Sequence, residues 1–133
     1  MDDFLNKKLL TIILKSERYL RIAQGLANQG DYDVACSKAY YSIFYIFEGL
    51  LSTKGLEFSN HTTTIEAFNE YFINTGKFSS DLSEKINNLS GLIQILNHNL
   101  ETKITHEMAY QDIYIAGSIL EECKNYLREN GFI

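Results

Sequence analysis

The chain contains no proline. A helix in it can be ended only by glycine or by a cluster of polar residues, so long uninterrupted helices are permitted. β-branched residues do not alternate over any extended stretch, which argues against strands. Cysteine is scarce. Cys36 and Cys123 stand far apart, with neither a disulfide framework nor zinc-ligand spacing, and both sit among apolar neighbours as buried free thiols do. The longest apolar run, Ala39 to Phe47 broken by Ser42, falls far short of the ~20 residues a membrane span needs. The opening Met-Asp-Asp lacks the basic region of a signal peptide. These absences together lead us to expect a cytoplasmic protein.

Positive charge is also in short supply. Twelve lysines and arginines face seventeen acidic residues, for a formal net charge of −5. Such a balance lacks the cationic footprint that strong nonspecific nucleic-acid binding requires. Lys7, Lys8, Lys15, Arg18, Arg21 and Lys38 do gather in the first third. That leaves one face locally positive, or simply a solvated helix surface.

What is present is a domain's worth of apolar and aromatic residues: 133 residues, 45% hydrophobic and 13% aromatic. A single domain of this size, spanning residues 1–133, can bury a real core without staples. Five helices are expected, as an all-α, up-and-down bundle with short connections. The first runs from about Asp3 to Asn28, with Leu5, Leu9, Ile13, Leu20, Ala23 and Ala27 recurring at three- and four-residue steps apart from one double turn, and Gly30 as its stop. The second starts near Asp31 or Asp33 and reaches about Thr53, with Gly55 ending it. A third spans Asn60 to just before Gly76, and a fourth runs from Ser79 or Ser80 to near Asn97. Thr105 caps the last, which extends to about Arg128 with Met108, Ile115, Ile119 and Tyr126 facing inward.

The second helix is unusual. Ala35, Ala39, Ile43, Phe47 and Leu51 form one stripe, Tyr40, Phe44 and Leu50 a second, and Tyr41 and Tyr45 a third. A helix apolar nearly all round is central to its fold or shared with a partner. Tyr40, Tyr41, Phe44, Tyr45 and Phe47 are therefore expected in the core or at a dimer surface, with tyrosine hydroxyls at a polar edge.

Known catalytic motifs are missing. No phosphate loop and no dinucleotide turn occurs. His61, His98 and His106 do not pair at helical spacing, so no metal site and no cofactor is expected.

One resemblance stands out. The run "SERYLRIAQGLANQGDYDVACSKAYYSIFYIFEGLLSTKG", followed by "HTTTIEAFNEYFINTGKFSSDLSEKI" and "ITHEMAYQDIYIAGSILEECKNYL", resembles HEPN domains from about Ser16 to Leu127. Its strongest cues are Gly30-Asp31-Tyr32-Asp33, Ala39-Tyr40-Tyr41 with Phe44, Lys54-Gly55, His61 and Thr75-Gly76. The resemblance implies a helical bundle that pairs as a homodimer. It also implies either a metal-independent ribonuclease or a noncatalytic member, often coupled to a small nucleotidyltransferase in a two-component toxin–antitoxin-like system.

The ribonuclease motif of that family is an arginine, a polar residue and, several residues on, a histidine. The arginine would neutralise charge building on phosphate and the histidine would move protons. Here the corresponding segment reads Leu92-Ile93-Gln94-Ile95-Leu96-Asn97-His98, with Ile93 at the arginine position. The only arginines, Arg18, Arg21 and Arg128, are not followed by a histidine at the required interval. The resemblance therefore implies a degenerate module with His98 as catalytic remnant or as a connector histidine. Gln94, Asn97 and Asn99 are neutral candidates for contacting a nucleotide or RNA. His61 is a helix-start residue or a weaker ligand contact, and His106 is solvated. The alternative is a divergent ribonuclease that still uses His98.

Overall fold

A computed structural model describes residues 3–89, 91 and 103–133. Five α-helices are defined among them: α1 (Asp3–Asn28), α2 (Tyr32–Ser52), α3 (His61–Phe68), α4 (Ser80–Asn87) and α5 (His106–Glu129). A π-helical turn, Asn69–Ile73, prolongs α3. No strand occurs among the described residues.

The ends of the helices follow local chemistry. Gly30 adopts φ 85°, which lets α1 close with two reversed bonds, Asp31 N–H to the Leu26 carbonyl at 2.9 Å and Gly30 N–H to the Ala27 carbonyl at 3.0 Å. Only a residue tolerant of the left-handed region finishes a helix this way without strain. Asn60 and Thr105 cap α3 and α5 by accepting from Thr63 N–H and Met108 N–H, each at 3.2 Å. Asp31 holds the cap position of α2 but makes no side-chain cap bond; the Asp33 carboxylate takes the Val34 N–H at 3.0 Å instead.

The fourth helix departs from the expected continuous run to Asn97. It ends at Asn87, where Asn88 turns to φ −93°, ψ 7°, and Leu89 lies outside helix. The pair Asn87-Asn88 explains the break, since asparagine side chains compete with helical backbone bonding. Gly91 is helical again.

Helices α1 and α2 form an antiparallel hairpin with the most extensive packing in the fold, and α5 lies across both. Asn28 with Tyr110 at one end and Asn6 with the Phe132 carbonyl at the other show that α5 runs antiparallel to α1. The buried side chains form one continuous core. At its far end Phe47 stacks on Phe68 with centroids 3.7 Å apart and planes 7° from parallel, and Phe72, Phe78 and Tyr126 extend the seam. The gap in the α1 stripe between Ile13 and Leu20 is filled by Ser16, fully buried, whose carbonyl accepts from the equally buried Ser42 hydroxyl at 2.8 Å. On α5, Met108 and Tyr126 are half-buried rather than central, and Ala109 and Asp112 take the inward positions instead.

Candidate functional site: an aromatic face on α1 and α2

Helix α2 is buried on most of its circumference. An outward stripe carries Val34, Lys38, Tyr41, Tyr45 and Glu48, at steps of three and four residues. Tyr19 of α1 stands beside it, with ring centroids 6.1 Å from Tyr41 and 5.2 Å from Tyr45. Lys15 lays its ammonium 4.0 Å from the Tyr45 centroid, and Lys38 lies 5.5 Å from that of Tyr19. These are cation–π distances, so the two lysines are held against the rings rather than ranging through solvent.

The rim of this face is closed by α3. His61, its first residue, lies over Phe44 with centroids 3.9 Å apart, and Tyr40 and Tyr41 come within 5.7 and 5.5 Å of the imidazole. The imidazole is thus the fourth ring of an aromatic cluster and sits at a helix start, one of the two roles the sequence allows it. Phe44 is buried, and Phe47 points the opposite way into the Phe68 stack, with no exposed surface. Tyr40, Tyr41 and Tyr45 are half-buried at the edge.

Burial pushes the Tyr40 hydroxyl upward, with Tyr41 adding to it. Tyr45 is raised by burial and by its hydrogen bond with Tyr19, against the pull of Lys15. These phenols stay protonated at neutral pH and offer donors, not nucleophiles. Burial also raises Glu48, partly offset by Lys15 and Lys8. The face can therefore do one thing well: present polar-edged rings and two ring-bound ammonium groups to a matching surface.

A second feature escaped the sequence reading. Asp112, 1% exposed, is hydrogen-bonded to the buried Cys36 thiol across the α2–α5 contact. Burial, followed by the Asp112 charge, drives that thiol far above its ordinary value. The backbone of Gly91 is packed against both groups, so closely that a Cβ there would overlap Cys36 Sγ and lie 2.7 Å from Asp112 Oδ2. The signal was available: Asp112 interrupts the inward run Ala109, Ala116, Ile119, Cys123 at helical spacing. This junction fixes where residue 91 meets α2 and α5.

Gln94, Asn97, His98 and Asn99 lie outside the described residues, as does Ile93. The three arginines are all described. Arg18 is exposed on α1. Arg21 lines a shallow groove of about 400 Å³ between α1 and α5, together with Glu17, Gln24, Gly117 and Glu121. Arg128 bonds the Asn125 side chain at 2.9 Å at the end of α5. His106 packs its ring on Tyr110, 4.6 Å between centroids, and edge-on to Tyr32. No group of three or more metal-ligating side chains occurs among the described residues, and no described helix is long and apolar enough to cross a membrane.

An all-helical bundle with these cues defines the class. Residues 10–126 match the HEPN domain family, and the chain belongs to it. It is similar to two Methanocaldococcus jannaschii proteins, each named as a "putative toxin". One is 31% identical over 121 residues, covering 91% of this chain and 82% of the relative. The other is 30% identical over 132 residues, covering 94% and 92%.

Proposed function

We propose that the chain is a noncatalytic HEPN module, a single unit over residues 1–133, that forms a homodimer and acts through a protein partner. A nucleotidyltransferase of a two-component toxin–antitoxin-like system is the partner class the family resemblance favours. The observation that carries this reading is the arginine inventory: a family fold in which Ile93 stands where the resemblance calls for a cation. Isoleucine cannot donate to a phosphate. Losing such a donor costs a ribonuclease on the order of hundreds- to thousands-fold in rate.

The tyrosine face supports the dimer half of the reading. Tyr19, Tyr41 and Tyr45 provide large rings with hydroxyls at the edge, the side-chain chemistry that protein interfaces favour. We assign the dimer contact to it. Sedimentation equilibrium at micromolar concentration should return twice the monomer mass for the native chain. Tyr41→Asp/Tyr45→Asp should return the monomer mass with unchanged helical content. A native chain that sediments as a monomer removes the dimer, and a variant that still dimerises moves it to another face.

A second reading is favoured by the names of the relatives. A toxin that still cleaves RNA would use His98, with Gln94, Asn97 or Asn99 binding the strand or a nucleotide. Growth arrest on expression, lost in His98→Ala, would select that reading over the first.

A further inference from the structure

Two glycine turns meet at the pole of the bundle opposite the α1–α2 turn. The first follows α2, where Gly55 at φ 72° closes the helix and Lys54 immediately precedes it. The second follows the π-helical turn, where Gly76 at φ 77° immediately precedes Lys77. Both lysines are exposed, and both send their ammonium groups to the same ring. Lys54 Nζ lies 5.7 Å and Lys77 Nζ 5.8 Å from the centroid of Phe72. The Phe72 side chain is fully buried, locked by Phe68, Phe78 and Tyr126. It forms a fixed floor beneath the two charges.

The two ammonium groups gather at this one ring. Neither has a carboxylate partner among the described residues, whereas Lys8, Lys85 and Lys124 each do. Two uncompensated like charges brought together repel, and Lys54 responds with a pKa below the ordinary lysine value, because of Lys77 first and burial second. An anion placed between them would turn that repulsion into two charge-assisted hydrogen bonds.

We propose that Lys54 and Lys77 form a binding site for a phosphate monoester, with Phe72 as its apolar floor. Charge selects the ligand. Two ammonium groups match the near-dianion of a terminal phosphate at neutral pH, whereas a phosphodiester or a single carboxylate carries one negative charge. The chain's net charge of −5 works against a long polyanion and less against a small one. The site is separate from the tyrosine face and does not depend on how that face is used.

The test is NMR of the ¹⁵N-labelled lysine side chains at low ionic strength. Inorganic phosphate, a nucleoside 5′-monophosphate and a dinucleoside phosphodiester are each titrated into the native chain. Inorganic phosphate and the monophosphate should shift the Lys54 and Lys77 Nζ resonances together, leaving Lys38 unmoved, and the diester should bind at least about tenfold more weakly. A monophosphate that binds tighter than inorganic phosphate identifies a nucleotide as the source of the group; equal affinities identify free phosphate. Lys54→Gln and Lys77→Gln should each weaken binding about tenfold, and Lys77→Gln should raise the Lys54 pKa. Both positions are exposed, so both variants should fold. Unmoved Lys54 and Lys77 resonances, a diester bound as tightly as a monoester, or undiminished binding in the double variant would overturn the proposal.

Discussion

His61 packs against Phe44 with ring centroids 3.9 Å apart and planes tilted by 35°, joining the first residue of α3 to the middle of α2. The contact makes His61 a packing residue before it is anything else. His61→Ala should lower the stability of the chain by about 1 kcal/mol, the usual worth of an aromatic pair. His61→Phe should keep most of it. Urea unfolding of the two variants checks this, and an unchanged midpoint for His61→Ala would deny the contact any weight.

Gly91 has no room for a side chain between Cys36 and Asp112. Gly91→Ala should therefore destabilise by about 1–3 kcal/mol, as overpacking does. Removing one obstacle should return part of that loss, so Gly91→Ala combined with Cys36→Ala should show a favourable coupling. Strictly additive effects in the double-mutant cycle would mean that the backbone moves aside instead.

Cys36 and Cys123 are both buried free thiols whose ionisation burial pushes far upward, with the Asp112 charge adding at Cys36 and the Glu122 charge at Cys123. The folded chain holds these protons where the unfolded chain releases them. The resulting stability is fully present below the ordinary thiol range and is lost as pH rises through and beyond about 9. The slope per thiol should be about half of 1.4 kcal/mol per pH unit near pH 9 and approach about 1.4 above it. Urea midpoints measured between pH 8 and 10 should fall, and should fall less steeply in Cys123→Ala. A flat profile would mean that the thiols are not sequestered.

Much of the fold was legible because the helices obey local rules. The extent of α1, the start of α3 near Asn60 and the Thr105 cap follow from periodicity, glycine stops and cap chemistry, all of which act within a turn or two of chain. Family membership was legible in the same way, from cues spread over two helices. The break after Asn87 was not, because the surrounding apolar residues keep a helical rhythm and only the weak preference of two asparagines opposes it. Less legible still was any pairing across helices. Lys54 and Lys77 are 23 positions apart, and Cys36 and Asp112 are 76 apart. Their proximity is a product of packing, not of spacing. For His98, Gln94, Asn97 and Asn99 the sequence remains the source of the assignment.

The most direct test of the central claim is incubation of purified protein with single-stranded RNA in chelator, at neutral pH, followed by gel analysis of the strand. With Ile93 at the position where the family resemblance calls for an arginine, the proposed noncatalytic module is expected to leave the RNA intact. Scission by the native chain that disappears in His98→Ala would contradict the account.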